Sequence, residues 1–175
     1  MVHTEEKDNG KGGQDTDQNA NAKLPRGGKY LTFSLAREEY AIAILKVHEI
    51  IGMMSITPIP GTPEYIRGVI NLRGSVKPVI DLRLKFGMQP QEATNETCII
   101  VVQAQNVQTG IIVDRVNDVV DIHDDEIAET PSFGAVVNTE FIMGISKAAG
   151  QVTLLLDIDK VLSPQECHEL SSIAA

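Results

Sequence analysis

The stretch over residues 68–83 limits most strongly what this chain can fold into, because it alternates like two β-strands joined by a tight turn. Apolar side chains recur at every second position on both sides of Gly74-Ser75, and glycine accepts the positive φ that a tight turn requires. Pro78 cannot donate a backbone hydrogen bond, which predicts that the second strand lies at a sheet edge or barrel rim. One face of this hairpin is buried, and Arg73 lies on the strand face opposite to it.

The composition excludes several classes of protein. The chain has 175 residues, which suits one domain or two small fused units, and its formal net charge is −9. Such an acidic chain lacks the basic face that phosphate binding requires, so we expect no nucleic-acid partner. Cys98 and Cys167 lie far apart without a CxxC spacing, which predicts reduced thiols in a cytoplasmic protein. No apolar run reaches the roughly 18 residues of a membrane span, and the N-terminus is polar, so we expect neither membrane insertion nor a signal peptide.

The distribution of apolar residues divides the chain into three segments. Residues 1–28 are rich in Gly, Asp, Asn and Gln and cannot bury enough surface to offset their ordering entropy, which predicts a disordered tail. Residues 29–170 carry the alternating apolar runs and are expected to form the folded domain. Ser163-Pro164-Gln165-Glu166 predicts a capping box that begins a helix ending near Leu170, with a short tail at 171–175.

Local signals predict several short elements inside the domain. Residues 45–51 suit a short helix or a bent strand that stops at Gly52. Thr62-Pro63 suits the first turn of a brief helix, since proline is tolerated at the first helical position. Asp81 suits the cap of another helix, which Gly87 would end.

The second half of the domain repeats the plan of the first. The run over residues 42–50 matches the run over residues 111–119 in its apolar and charged positions. The hairpin over residues 68–83 has a counterpart that ends in Asp157-Ile158, as the first ends in Asp81-Leu82. Two copies, the second starting near residue 97, predict duplicated β modules that are each too small to be stable alone and that pack on one another.

No pattern in the sequence predicts catalysis. There is no phosphate-binding loop, no nucleophile elbow and no HExxH pair, so we expect no catalytic residue, no metal and no cofactor. The acidic loop at residues 121–126 leaves one alternative open, a small β-barrel that binds a metal or another ligand, or an enzyme. That loop lacks the glycine and the ligand spacing of a calcium loop, which favours a solvated acidic loop.

The charges are unevenly distributed along the domain. Residues 67–85 contain five basic side chains and one acid, whereas residues 114–129 contain seven acids and one base. The five basic residues are Arg67, Arg73, Lys77, Arg83 and Lys85. Such a polarised field orients partners and raises association rates, although two ordinary solvated faces would give the same composition.

These residues also carry a resemblance to a known family. Asn71-Leu72-Arg73-Gly74, followed by Pro78-Val79-Ile80-Asp81-Leu82-Arg83, resembles the central signature of the CheW family of bacterial chemotaxis coupling proteins. The likeness extends from about Lys29 to Leu170. It implies a mainly β fold of two five-stranded SH3-like barrels packed together with short helices. It also implies a non-enzymatic adaptor in signal transduction, which couples the cytoplasmic tips of chemoreceptors to the regulatory domain of the histidine kinase CheA, in the cytoplasm at membrane receptor arrays.

The resemblance assigns four residues to the receptor-facing surface. They are Val47, Glu49, Gly68 and Arg73. Arg73 has the clearest physical role, since a guanidinium can form two parallel hydrogen bonds to a carboxylate of a receptor. The alternative for Arg73 is an internal ion pair with Glu49 or Asp81, and Gly68 could simply end a helix.

The kinase-facing surface implied by the resemblance is apolar. Ile56 and Ile59 in the proline-rich segment are the expected contacts, and plain burial in the core is the alternative for both. A further contact is expected at Phe133, which follows a proline in a loop and suits an aromatic anchor. Ala128 stands where the family's pattern has an arginine, so the charged part of that contact is missing here.

Overall fold

The fold consists of two antiparallel-rich β-sheets with three short helices. The computed structural model describes residues 26–130, 140–147 and 150–173. Its strands are β1 (Gly28–Leu35), β2 (Glu38–Ala43), β3 (Val47–Gly52), β4 (Ile66–Leu72), β5 (Ser75–Asp81), β6 (Cys98–Ala104), β7 (Val107–Val113), β8 (Arg115–Ile122), β9 (Ile127–Ala128), β10 (Ile142–Ser146) and β11 (Thr153–Leu156). The helices are α1 (Leu82–Lys85), α2 (Ile158–Val161) and α3 (Pro164–Ile173).

The two sheets confirm the predicted pair of SH3-like barrels. One sheet has five strands in the order β3-β6-β7-β5-β4. The other has the order β8-β1-β2-β11-β10-β9, in which β9 adds two residues to a five-stranded arrangement. Each sheet contains one parallel pair, β5 with β7 and β11 with β2, among otherwise antiparallel neighbours.

The sequence repeat is visible in the structure, but each repeat contributes strands to both sheets. The hairpin β1–β2 pairs with β8 and β11 of the second repeat, and the hairpin β6–β7 pairs with β3 and β5 of the first. Equivalent residues of the two repeats form equivalent backbone hydrogen bonds. In the first repeat the Asp81 amide donates to the Tyr65 carbonyl at 2.7 Å, and in the second the Asp157 amide donates to the Phe141 carbonyl at 2.8 Å. Each sheet is therefore complete only when the first hairpin of one repeat pairs with strands of the other repeat.

The largest hydrophobic core lies between the two sheets. It joins buried side chains of both, including Phe33, Ile42, Ile100, Ile111 and Leu156. Two smaller clusters fill the space on the other side of each sheet. Burial of this shared apolar surface holds the two barrels against each other, since apolar burial is the main favourable contribution to folding.

An ion pair fixes each point where the chain crosses between the sheets. Between β7 and β8, the Asp114 carboxylate binds the Arg83 guanidinium at 2.5 Å and accepts the Ala36 amide at 2.8 Å. At the other crossing, a 3-10 turn over Ile44–Lys46, the Lys46 ammonium lies 2.7 Å from Asp159, which accepts the Gln105 amide at 3.0 Å. Both crossings thus use one carboxylate, one cation and the backbone of a hairpin turn.

The central hairpin differs from its prediction in two ways. Arg73 is not on a strand: β4 ends at Leu72, and Arg73 and Gly74 form the turn with φ of 53° and 85°. The strand with Pro78 is not at an edge, because β5 lies between β4 and β7. The pairing of β5 with β7 begins only at Val79. Pro78, which has no backbone N–H to donate, therefore lies outside the hydrogen bonds between these two strands.

Other short elements were predicted with mixed success. Thr62-Pro63 begins a turn rather than a helix, in which the Ile66 amide donates to the Pro63 carbonyl at 3.0 Å. The Asp81 carboxylate caps α1 by accepting two backbone amides, as predicted. The Ser163–Glu166 capping box is also confirmed, and α3 continues beyond Leu170 to Ile173.

The Thr109 hydroxyl is buried in the described structure without a hydrogen-bond partner, and the side chain is 1% exposed. An unpaired buried hydroxyl costs roughly 1–3 kcal/mol. We therefore expect Thr109→Val to raise the free energy of unfolding by about 1 kcal/mol in urea denaturation. Thr32→Val is the control and should lower it, because the equally buried Thr32 hydroxyl bonds both the amide and the carbonyl of Asp118 at 3.1 Å. Equal effects of both substitutions would contradict this prediction.

Arg26 and Gly27, which the sequence assigns to the tail, are bonded to the folded domain. The Arg26 and Gly27 amides donate to the Asp124 carboxylate at 2.7 and 2.6 Å, and the Arg26 guanidinium donates to the Met143 carbonyl. We expect deletion of residues 1–28 to lower the melting temperature relative to deletion of residues 1–25, because only the longer deletion removes these bonds. Identical melting temperatures for the two truncated proteins would show that the bonds do not contribute.

Candidate functional site

Arg73 and Glu49 form a bidentate ion pair on the surface of the five-stranded sheet. The two guanidinium nitrogens Nη1 and Nη2 donate to the two Glu49 oxygens at 3.0 and 2.8 Å. Glu49 lies on β3 and Arg73 follows β4, and these two strands are at opposite ends of the sheet order. The pair therefore links the two edges of the sheet and helps to close the barrel.

The backbone of the β4–β5 turn positions the guanidinium. Gly74 accepts a φ of 85° at no steric cost, and its amide donates to the Asn71 side-chain oxygen at 2.8 Å. The sequence Asn-Leu-Arg-Gly therefore encodes a specific turn with Arg73 at its tip. The Arg73 side chain is 72% exposed, whereas the Glu49 side chain is 21% exposed. The guanidinium thus stays accessible while it is paired.

The ion pair changes the acidity of both groups. The hydrogen bonds from Arg73 hold the pKa of the Glu49 carboxyl below its usual value. The same bonds raise the pKa of the Arg73 guanidinium. Of the two internal partners considered for Arg73, the structure selects Glu49, and Asp81 instead lies 3.9 Å from Arg67.

The other two predicted receptor residues are less exposed. Val47 is half-buried and packs against the central core, so its backbone position is fixed by the fold. Gly68 is buried with a φ of 136°, and a Cβ atom there would lie 2.0 Å from the Thr57 carbonyl oxygen. Thr57 and Val69 exchange two backbone hydrogen bonds of 2.9 Å beside it. Gly68 thus allows the proline-rich segment to lie directly on β4, and no helix ends there.

The predicted kinase residues lie in that proline-rich segment. Ile56 and Ile59 are both half-buried, and Ile56 packs against the core of the five-stranded sheet. Ile56 also lines a groove with Ile66 and Leu84. Phe133 lies outside the residues that the structure describes. Ala128 is half-buried in β9 and paired with Ile145 of β10.

Three exposed apolar side chains near Glu49 were not predicted from the sequence. Leu45 is 93% exposed in the 3-10 turn, Ile50 is 46% exposed on β3, and Met53 is 37% exposed just after it. The alternation of residues 45–51 could have indicated Ile50, but the exposure of Leu45 depends on the crossing between the sheets. These exposed apolar side chains lie just before, within and just after the strand that carries Glu49, and exposed apolar groups can serve as contacts for a partner.

The basic residues of the central region are mostly neutralised within the protein. Besides Arg73, the Arg83 side chain pairs with Asp114, and the Lys85 ammonium lies 2.6 Å from Glu166 and above the Tyr65 ring. Burial raises the pKa of the Glu166 carboxyl, but the hydrogen bonds from Lys85, Tyr65 and the Ser163 backbone, together with the Lys85 charge, lower it below its usual value. The predicted positive patch is therefore largely a set of internal ion pairs rather than a free positive field.

Comparisons with known proteins agree with this geometry. The family model of the CheW-like domain matches residues 29–166. This chain belongs to the CheW family. The chemotaxis protein CheW of Klebsiella aerogenes is 39% identical over 148 residues, which cover 85% of this chain and 89% of that protein. The chemotaxis protein CheW of Bacillus subtilis is 37% identical over 145 residues, which cover 82% of this chain and 92% of that protein.

A solved structure shows the same fold. The crystal structure of the scaffolding protein TtCheW from Thermoanaerobacter tengcongensis superposes on this chain with a TM-score of 0.73, and the two sequences are 36% identical. The superposition covers 82% of this chain and 97% of the TtCheW chain. As a CheW-family protein, this chain is a chemotaxis coupling adaptor. The family is one of scaffold proteins, and the alternative of a metal-binding barrel or an enzyme finds no support in these relatives.

The acidic loop makes contacts that hold it to the rest of the fold. Asp124 accepts the Arg26 and Gly27 amides, and His123 forms a capping box with Glu126. In the described residues, no three Asp, Glu, His or Cys side chains converge as metal ligands. None of the described helices has the length and apolar character needed to span a bilayer.

The ion pair predicts a measurable change in acidity. We expect Arg73→Ala to raise the pKa of Glu49 back towards its ordinary value, because the hydrogen bonds that lower it are lost. The Glu49 contribution to stability is present above the ordinary carboxyl pKa and is lost as the pH falls through the lowered value. NMR titration of the Glu49 side-chain carboxyl carbon measures the shift.

Arg67→Ala is the matched control, because Arg67 lies near Asp81 and not near Glu49. It should leave the Glu49 titration unchanged. An identical Glu49 titration in the wild type and in Arg73→Ala would show that the ion pair does not form in solution.

Proposed function

We propose that this CheW-family protein couples the cytoplasmic tips of chemoreceptors to the regulatory domain of the histidine kinase CheA, and that it does so by docking without catalysis. The observation that carries the proposal is the surface around the Arg73–Glu49 pair. Its guanidinium is accessible while it is paired with Glu49, and exposed apolar side chains occur at Ile50 on β3 and at Leu45 in the 3-10 turn before it. The protein would act in the cytoplasm at membrane receptor arrays, with residues 29–170 as the functional domain.

The receptor would bind the surface that contains Val47, Glu49, Gly68 and Arg73. Leu45 and Ile50 supply the apolar contact area, while the ion pair supplies directional hydrogen bonds to a polar group on a receptor helix. Gly68 and Val47 would fix the backbone of this surface rather than touch the partner. Gly68 is buried, and Val47 packs against the central core.

The kinase would bind the proline-rich segment on the same sheet. Ile56 and Ile59 are half-buried, so each keeps part of an apolar side chain accessible beside Pro58 and Pro60. Apolar contacts of this kind form the centre of stable interfaces. Phe133 is kept as a second kinase contact on the strength of the family resemblance.

The receptor arm of the test uses a soluble receptor-tip fragment and isothermal titration calorimetry. We expect Arg73→His and Leu45→Asp each to weaken receptor binding by about tenfold or more while the melting temperature changes little, because both side chains are exposed. Binding should also weaken with added salt, since exposed charges are screened over about 10 Å at 0.1 M. Unchanged receptor affinity in both variants would contradict the placement of the site.

The kinase arm uses the isolated CheA regulatory domain. We expect Ile59→Asp to weaken kinase binding and to leave receptor binding intact, with Arg73→His as the reciprocal control. Failure of the wild-type protein to bind either partner at high micromolar concentration would contradict the proposed function itself.

A further inference from the structure

The strand β8 is a free edge of the six-stranded sheet. It pairs with β1 on one side and has no described neighbour on the other. β8 extends over eight residues, and Val119 at its centre is 52% exposed. An edge of this length offers unpaired backbone donors and acceptors to an incoming strand. Within the residues that the structure describes, the sheet therefore has an unpaired edge that the proposed function does not use.

The charges along this edge are not neutralised. Among the described residues, the carboxylates of Asp118, Asp121 and the neighbouring Asp125 have no hydrogen-bond or ion-pair partner, and all three residues are exposed. Lys29 lies opposite Asp121 in the register without forming an ion pair, and Arg115 at the start of the strand donates to Asn117. This contrasts with the basic residues of the central region, which are largely paired internally.

The repeat makes β8 the counterpart of β3. Glu49 and Ile50 on β3 correspond to Asp118 and Val119 on β8. Glu49 is matched by Arg73 from the β4–β5 turn, whereas the sequence has Ala149 at the corresponding turn position. The second copy of the surface therefore keeps the acid and the apolar residue but not the arginine, and a partner has to supply the positive charge.

We propose that β8 is a docking edge for an extended, cationic segment of a partner protein, which adds to the sheet as a further strand. Backbone hydrogen bonds would supply affinity, Val119 would contact an apolar side chain on one face of the strand, and Asp118 would select lysine or arginine on the other. Charged residues on an edge also deter wrong pairings, so the same acids exclude neutral or acidic strands. This edge belongs to the six-stranded sheet, whereas Glu49 and Gly68 lie on the five-stranded sheet.

The probe is a synthetic peptide of alternating lysine and valine, about ten residues long and capped at both ends. We expect its addition to shift the backbone amide NMR signals of residues 115–122. A peptide in which glutamate replaces lysine should cause no shift. The lysine peptide with N-methylated alternate residues should bind at least about tenfold more weakly, because it cannot complete the strand hydrogen bonds.

Matched variants separate the edge from net charge. Asp118→Lys should weaken peptide binding by about tenfold, whereas Asp125→Lys, which changes the net charge equally from the adjacent turn, should have a much smaller effect. Asp118→Asn replaces Asp118→Lys if that variant loses its native NMR spectrum. The proposal would be overturned if Asp118→Lys and Asp125→Lys weakened peptide binding equally, or if the N-methylated peptide bound as tightly as the lysine peptide. It would also be overturned if the NMR shifts were confined to strands other than β8. Shifts of the β8 signals with protein concentration alone would overturn it in favour of a second copy of this chain.

Discussion

The exchange of hairpins between the two repeats is the constraint on which the rest of the structure depends. Neither repeat has a complete sheet of its own, because β1–β2 and β6–β7 each pair with strands of the other repeat. The main core consequently lies between the sheets, and its apolar side chains come from both halves of the sequence. The two barrels therefore form as one unit, and the surfaces that they carry keep fixed positions.

The crossings show how polar groups support this arrangement. Asp114 and Asp159 each join a cation to a hairpin backbone where the chain leaves one sheet for the other. Burial raises the pKa of the Asp159 carboxyl, but the hydrogen bonds from Lys46 and the Gln105 backbone, together with the Lys46 charge, lower it below its usual value. Partly buried pairs of this kind define where each crossing lies, while the apolar core supplies most of the stability.

The sequence predicted the β-rich fold, the helix caps at Asp81 and Ser163 and the repeat, because each of these leaves a local pattern. It did not predict that Pro78 lies in an interior strand, since the end of a ladder depends on a strand that is distant in sequence. The sequence also did not predict the exposure of Leu45, and it left the partner of Arg73 open between Glu49 and Asp81. The choice depends on how β3 meets the other end of its sheet. Local patterns specify elements, whereas neighbours across the sheets decide which side chains are left for partners.

The Arg73–Glu49 pair has a consequence for how selectivity arises. A carboxylate on an incoming helix does not meet an unoccupied cation, because it has to compete with an oxygen atom that already holds the guanidinium at 2.8 Å. Under the proposed function, recognition at this point would be an exchange of one anion for another, and such an exchange contributes less free energy than a new ion pair. Exposed aliphatic groups would then determine how long such a complex lasts, while the exchange would decide which complexes form.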